Sequence, residues 1–423
     1  MNDLRAIAFY LPQFHPVPEN DEWWGKGFTE WRNVAKAKPL FPGHYQPHLP
    51  ADMGYYDLRL PEVREAQADL AREYGIHGFC YYHYWFNGRR ILERPFNEVL
   101  GSGKPDLPFC LCWANENWTR VWDGGERNVL LEQHYSHEDD LAHIRSLIPA
   151  FKDPRYIRVN GKPLFLVYRT GVLPNPLRTT EIWREVAREA GIEDLYLVRV
   201  ESHGDSTNPT EIGFDASVEF APSSGLDISA LFRGRIYRLL AKAGIFPAGL
   251  VDHNIYEYRK VVHSMMNRPV PDFTRFHCVT PGWDNTARRE ANGTVLIDST
   301  PETYKSWLKT VAQRTREKFQ GDEQICFINA WNEWAEGNHL EPDLRWGHAY
   351  LEATRSALVS TSSSQGVVDA AAKDSKEPLF KRLYWRLTSA FRSNETKRLL
   401  RYIGLPCMRK QASNNSFSGR GKQ

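Results

Sequence analysis

No apolar run in the 423 residues approaches the ~20 needed to cross a bilayer. Residues Met1 to Tyr10 lack a basic stretch followed by a long apolar core, so no secretion signal is read there and a cytoplasmic chain is expected. The formal net charge of +2 argues against a dedicated nucleic-acid partner. Cysteine is sparse. Cys80, Cys110, Cys112, Cys278 and Cys326 fall inside apolar strand-like runs, where a free thiol behaves as a small hydrophobe, and Cys407 lies near the end. Cys110 and Cys112 would share one strand face, but no second pair completes a zinc set, so reduced thiols are expected. Reduced thiols again suit the cytoplasm. His44 and His48 stand four apart, yet Pro42-Gly43-His44-Tyr45-Gln46-Pro47-His48-Leu49-Pro50 cannot be helical, so no metal is expected there. Gly101-Ser102-Gly103-Lys104 runs into Pro105, and no phosphate-loop helix can start. There is no Gly-x-Ser-x-Gly turn, no dinucleotide glycine pattern after the first strand and no internal repeat, so no cofactor is expected. Asn117-Trp118-Thr119 fits a glycosylation sequon, which carries no meaning in a cytosolic chain.

Aromatic residues, by contrast, are plentiful, at 13% with 14 Trp, and many sit beside polar residues as ligand-contacting aromatics do. Hydrophobic and charged contents of 41% and 25% are those of an ordinary soluble domain. Apolar runs bounded by Gly and Pro predict eight strands: Arg5 to Leu11, Gly78 to Trp85, Pro108 to Trp113, Leu164 to Tyr168, Leu195 to Val200, Ala216 to Phe220, Phe276 to Trp283 and Ile325 to Ala330. Helical spacing falls at Pro61 to Tyr74, Pro95 to Leu100, His137 to Phe151, Glu181 to Ala190, an inserted Leu231 to Val251, His253 to Met266, Pro301 to Arg316 (capped by Thr300) and Trp346 to Leu358. Strands alternating with helices predict an α/β chain, a (β/α)8 TIM-type barrel over residues 1–358, with a doubly wound open sheet as the alternative. The irregular stretch from Pro12 to Leu60 is a long N-terminal loop insertion.

After Val359 the composition changes. Residues 359–376 read as a linker. From Lys373 onward 13 Lys/Arg face three acids, Asp374, Glu377 and Glu395. Residues 377–423 are a basic amphipathic tail, and within it 379–405 interleave aromatic and aliphatic residues with cations. That pattern fits peripheral association with an anionic membrane surface; a solvated tail, or one docked on the barrel, is the alternative.

The chain is organised around Phe327 to Pro342. A buried strand runs out of the core into Asn332, Glu333, Trp334, Glu336 and Gly337. Two carboxyl groups at a sugar can protonate a leaving oxygen and stabilise or attack the anomeric carbon. Glu333 and Glu336, three residues apart, converge if the chain turns at Gly337. Glu116 and Asp123 follow the third strand, Glu219 ends the sixth, and Asp284 follows the seventh, with Trp283 beside it at the strand's end. Each acid is a candidate for binding hydroxyls, or a hydrogen-bonded structural acid. Tyr10, His83, Tyr84, Trp85, Asn115 and Trp118 complete the candidate lining, with buried packing the competing role for Tyr84.

Glu333-Trp334-Ala335-Glu336-Gly337 resembles the Glu-Trp-His-Glu core of the endo-α-mannosidases of glycoside hydrolase family 99. With Phe9-Tyr10-Leu11-Pro12-Gln13-Phe14-His15, Trp24 to Trp31, His83 to Phe86 and Cys112 to Trp118, the wider chain resembles the WbsX-type glycosyltransferases of surface-polysaccharide biosynthesis. The resemblance implies a (β/α)8 barrel, and an enzyme cleaving or transferring a glycosidic bond in polysaccharide of the O-antigen or lipopolysaccharide kind by a retaining mechanism. Glu333 would be the base that deprotonates the sugar's own 2-hydroxyl, and Glu336 the acid/base. Ala335 stands where the mannosidases have His, which weakens the transfer of sugar specificity. The substrate implied is an oligosaccharide or lipid-linked saccharide on the inner face of the cytoplasmic membrane. A nucleotide-sugar- or lipid-linked-sugar-dependent transferase and a non-catalytic glycan-binding barrel are the alternative functions.

Overall fold

A computed structural model describes residues 4–120, 125–222 and 228–359. The chain divides into the unit Met1–Lys373 and the unit Asp374–Gln423. The predicted linker beyond Val359, the basic tail with Cys407, and the side chain of Asp123 lie outside the described residues.

Eight parallel strands close on themselves. They are β1 (Arg5–Tyr10), β2 (Gly78–Phe86), β3 (Phe109–Trp113), β4 (Lys162–Val167), β5 (Tyr196–Glu201), β6 (Ala216–Glu219), β7 (Arg275–Val279) and β8 (Ile325–Ile328). Each pairs in parallel with the next, and β8 returns to β1 with Ile7 opposite Phe327. This is the (β/α)8 barrel. The open-sheet alternative fails because an open sheet leaves two edges and this one has none.

The strands are nearly continuous apolar runs because both faces are covered. One face fills the barrel, where Phe9 meets Tyr82, Phe220 and Phe327. The other meets a ring of helices: α1 (Pro61–Glu73), α2 (Arg94–Ser102), α3 (His137–Phe151), α4 (Pro176–Glu189), α5 (Tyr258–Met266), α6 (Pro301–Lys318) and α7 (Ala349–Leu358). α6 shows why these form: Tyr304, Trp307, Leu308, Val311, Ala312 and Thr315 recur at helical spacing and are buried, and Thr300 caps the first turn through Oγ1.

Some boundaries differ from expectation. α4 begins at Pro176, with Asn175 as its cap. The single inserted helix is two pieces, Arg235–Lys242 and Gly249–Asp252, because Gly244 adopts φ +70 and Pro247 follows. The segment from His253 opens not as helix but as a strand, Asn254–Glu257, parallel to Thr294–Ile297. Its β-branched and aromatic Ile255 and Tyr256 suit a strand until Tyr258 starts α5. β7 stops at Val279, since Pro281 cannot donate to a ladder. The long insertion after β1 carries two short helices, Pro18–Trp24 and Glu30–Lys36. An unpredicted hairpin, Trp118–Arg120 with Gly125–Leu131, follows β3.

Candidate active site

The end of β8 becomes a tight hairpin. Asn332–Glu333 pairs antiparallel with Asn338–His339, and the 3-10 turn Trp334–Glu336 spans the tip. Gly337 closes it at φ +55, the left-handed region that favours glycine. A Cβ there would meet the Asp284 Cβ at 2.9 Å. The Asp284 N–H donates to the Glu336 carbonyl at 2.6 Å, so the loops after β7 and β8 are stitched together at this point.

That stitch delivers Arg288, which follows the 3-10 turn Asn285–Ala287. Its Nη2 lies 3.0 Å from Glu333 Oε2, its Nη1 2.8 Å from Glu336 Oε1 and its Nε 3.1 Å from Glu30 Oε2. One guanidinium thus holds three carboxyl groups. Glu30 is fully buried, whereas Glu333 and Glu336 reach the cleft with side chains 7% and 18% exposed.

Burial pushes Glu333 up to about 8 from 4.5; Arg288 opposes the rise, and the negative charges of Glu336 and Glu30 add to it. Glu336 is raised too, chiefly by burial, again against Arg288 and with Glu30 adding. Arg288 itself is held firmly charged: burial works against the cation, but the three carboxyl groups outweigh it. With Glu333 at about 8 and Glu336 raised as well, the pair retains a proton near neutral pH.

The cleft over this pair has a volume of ≈ 740 Å³. It opens where β2, β4, β6, β7 and β8 end, the C-terminal mouth at which barrels of this class hold their sites. Its wall is aromatic, with Tyr82, Tyr84, Tyr168, Phe220, Trp118 and Trp283, interrupted by Gln13, Glu116, Glu201 and His203. Such walls suit pyranose rings, whose apolar faces lie on aromatics while their hydroxyls seek polar groups. Glu116 sits apart from the Arg288 cluster. Burial would raise it, but His203 at 2.9 Å and Arg169 at 3.2 Å hold it below the usual carboxylate range. The cleft thus carries a proton-retaining carboxyl pair and a separate ionised carboxylate.

Of the residues singled out in the sequence, Glu333, Glu336, Tyr84, Glu116, Trp118 and Trp283 line the cleft. The other described candidates are not among its lining residues. Tyr10 points out of the barrel, packs on Phe79 and Tyr81, and donates its hydroxyl to Gln67. His83 and Trp85 point the same way, stacking on His143 of α3, with Trp85 Nε1–H bonded to Asp139. The reason is the two-residue period of a strand: Tyr82 and Tyr84 face in, so His83 and Trp85 face out. That alternation, applied from Tyr84, would have selected Tyr82. Asn115 ties the backbone of Arg169. Asn332 bonds the backbone of Leu11 through both amide atoms. Trp334 stacks on His339 and donates to Glu341. Glu219 is enclosed by His277, Arg268 and Arg275. Asp284 accepts from Thr286 and pairs with His44 at 2.6 Å. Of these, Asn332 and Asp284 tie the loops that carry the pair, through Leu11 and the Glu336 carbonyl. Arg288 and Glu30 were not anticipated; Glu30 stood inside a quoted motif, but nothing in its spacing connects it to residues three hundred positions on.

Among the described residues, His48, His339 and Asp343 are the group whose donor atoms could hold a metal, all within 4.8 Å. Those atoms already have protein partners. His48 Nδ1 and His339 Nε2 share a hydrogen bond at 3.0 Å, and His339 Nδ1 meets the Glu341 carbonyl. Asp343 accepts from Tyr45 and from the N–H groups of Arg345 and Trp346. No helix of the described residues is long and apolar enough to cross a membrane.

The family described as Glycosyltransferase WbsX matches over residues 6–354. The uncharacterized protein WxcX of Xanthomonas campestris pv. campestris is 46% identical over 352 residues, in strain B100 and in strain ATCC 33913 alike. The match covers 83% of this chain and 49% of WxcX, so the chain spans about half the length of these curated relatives. The GH99 endo-alpha-mannosidase of Bacteroides thetaiotaomicron is similar in fold, with TM-score 0.50 and 15% identity over 85% of this chain and 97% of that one. A solved glycoside hydrolase-like protein is similar at TM-score 0.52 and 13% identity, covering 85% of this chain and 95% of that one.

Proposed function

The chain belongs to the WbsX glycosyltransferase family, and on that premise we propose that its cleft makes or breaks a glycosidic bond in a cell-surface polysaccharide, with Glu333 and Glu336 as the catalytic residues. The observation that carries this is the carboxyl pair clamped by Arg288 at the floor of an aromatic cleft. Glu333 as carboxylate takes the proton of the sugar's 2-hydroxyl, whose oxygen closes on C1. Glu336 as acid protonates the departing glycosidic oxygen. Glu336, now a carboxylate, deprotonates a water or an acceptor hydroxyl that reopens the ring at C1, and Glu333 returns its proton to O2. The stereochemistry at C1 is retained. These steps start with the proton on Glu336, so a proton that burial holds on Glu333 in the empty cleft passes to Glu336 when the saccharide binds. Arg288 holds both carboxyl groups in place as charge passes between them.

The substrate in this reading is an oligosaccharide or a lipid-linked saccharide, met on the cytoplasmic side of a membrane. The five described cysteines are unpaired and buried, which fits a reducing compartment. Glu333→Gln and Glu336→Gln, assayed singly against synthetic glycosides and lipid-linked oligosaccharides, test the assignment. Both variants should lose at least about a hundredfold in kcat. Wild-type turnover with full rate in both variants would remove the assignment, and glycan binding without turnover by the wild type would make the barrel a binding protein.

A further inference from the structure

We propose that Glu30 is a positioning residue that sets how the proton is held between Glu333 and Glu336, acting through Arg288. This rests on the function proposed above. Glu30 opens the helix Glu30–Lys36, is fully buried and is not among the residues lining the cleft, so it acts from beneath the floor. Its backbone N–H donates to the Gln13 carbonyl, and its Oε1 lies 3.4 Å from Asn33 Nδ2, which together fix the carboxyl group. Its Oε2 takes the Nε edge of Arg288. The two terminal nitrogens are thereby turned toward the cleft, one to each glutamate.

The geometry makes Glu30 a competitor. One guanidinium carries one positive charge, and three carboxyl groups press on it in a site closed from beneath. Every share of that charge drawn by Glu30 is withdrawn from the pair, and the negative charge of Glu30 favours a proton on Glu333 and Glu336. Among the described residues, the other charged or titratable groups on the cleft with the pair are Arg289, which works against the proton on Glu336, Glu116 paired with His203 and Arg169, Glu201 paired with Arg268, and the phenols of Tyr82, Tyr84 and Tyr168 from the ends of β2 and β4. Burial keeps all three phenols neutral far into alkali, so they contribute no charge. Without Glu30 the pair would face an undivided cation and release its proton at lower pH.

Glu30→Gln keeps the shape and removes the charge. The alkaline limb of the pH–rate profile should move acidward by about one pH unit or more. KM should stay within about threefold, because Glu30 does not meet the substrate. Glu30→Asp should restore most of the wild-type profile. In parallel, the infrared band of protonated carboxyl groups, titrated in the substrate-free full chain, should fade at lower pH in Glu30→Gln than in wild type. An unshifted limb with a uniform loss of rate at every pH would reduce Glu30 to a structural acid and overturn the proposal. If no glycoside is turned over by the wild type, the proposed function falls by itself. The infrared titration then decides Glu30 alone, and an identical carboxyl titration in the two proteins overturns the inference.

Discussion

Replacing Glu333 by Gln should raise the stability of the fold in mild alkali while removing turnover. Glu333 is pushed from 4.5 to about 8 in the folded protein. Between those pH values the folded protein holds a proton that the unfolded chain has released. Stability therefore falls as pH rises through the window, by up to about 1.4 kcal/mol per pH unit. Across the window that amounts to on the order of 5 kcal/mol, shared with the coupled Glu336. Gln cannot ionise and escapes this loss. At pH 5, where Glu333 is protonated and its bond to Arg288 is an ordinary one, the variant should match the wild type or fall about 1 kcal/mol below it. At pH 8 the order should reverse, with the variant ahead by roughly 2–3 kcal/mol. Urea unfolding at fixed temperature from pH 5 to 8.5, read as the difference between the two proteins, measures this. Groups common to both, such as Glu341 at about 7, cancel in the difference. A difference that stays constant across the range would refute the reasoning, because it would mean that Glu333 ionises in the folded site as readily as in the unfolded chain.

Other outcomes follow from the same geometry. Gly337→Ala should destabilise the fold by about 1–3 kcal/mol and lower kcat, since φ +55 disfavours a side chain and its Cβ would press on Asp284; an unchanged melting temperature would contradict this. Tyr82→Ala should raise KM for a saccharide, whereas Trp85→Phe should leave KM alone and lower stability by about 1 kcal/mol through the lost bond to Asp139. Equal effects on KM from the two would show that the strand does not alternate as described. Glu116→Gln should weaken saccharide binding, read in KM, without moving the alkaline limb of the pH profile, because Glu116 is held ionised by His203 and Arg169, away from the Arg288 cluster. A shifted limb would count against that separation.

Much of the barrel was legible because its signals are local. An apolar run such as Ile325 to Ala330 between polar turns reads as a buried strand whatever lies elsewhere, and Pro61 or the cap Thr300 opens a helix through its own backbone chemistry. The strand ends were less legible. Pro281 bounds β7 locally, yet its last paired residue, Val279, is set by where the neighbouring β8 pairs. His83, Trp85 and Tyr10 were placed in the cleft because an aromatic strand residue looks the same from either face. Only the closed barrel separates the face toward Phe9 and Tyr82 from the face toward His143 and Gln67.

The sequence by itself determined eight strands in a (β/α)8 order and the place of Glu333 and Glu336 just past the end of the last one, before a turn at Gly337. Local propensity, two-residue alternation and the turn at Gly337 are properties of neighbours along the chain. Tertiary structure alone decided that Arg288 would clamp those acids, that Glu30 would stand beneath them, and that Glu116 would be held ionised apart from them beside His203 and Arg169. Such pairings join residues as far as 258 positions apart. They exist because closing the barrel brings the loops after β1, β7 and β8 over one mouth, where burial makes an unpaired charge too costly to leave alone.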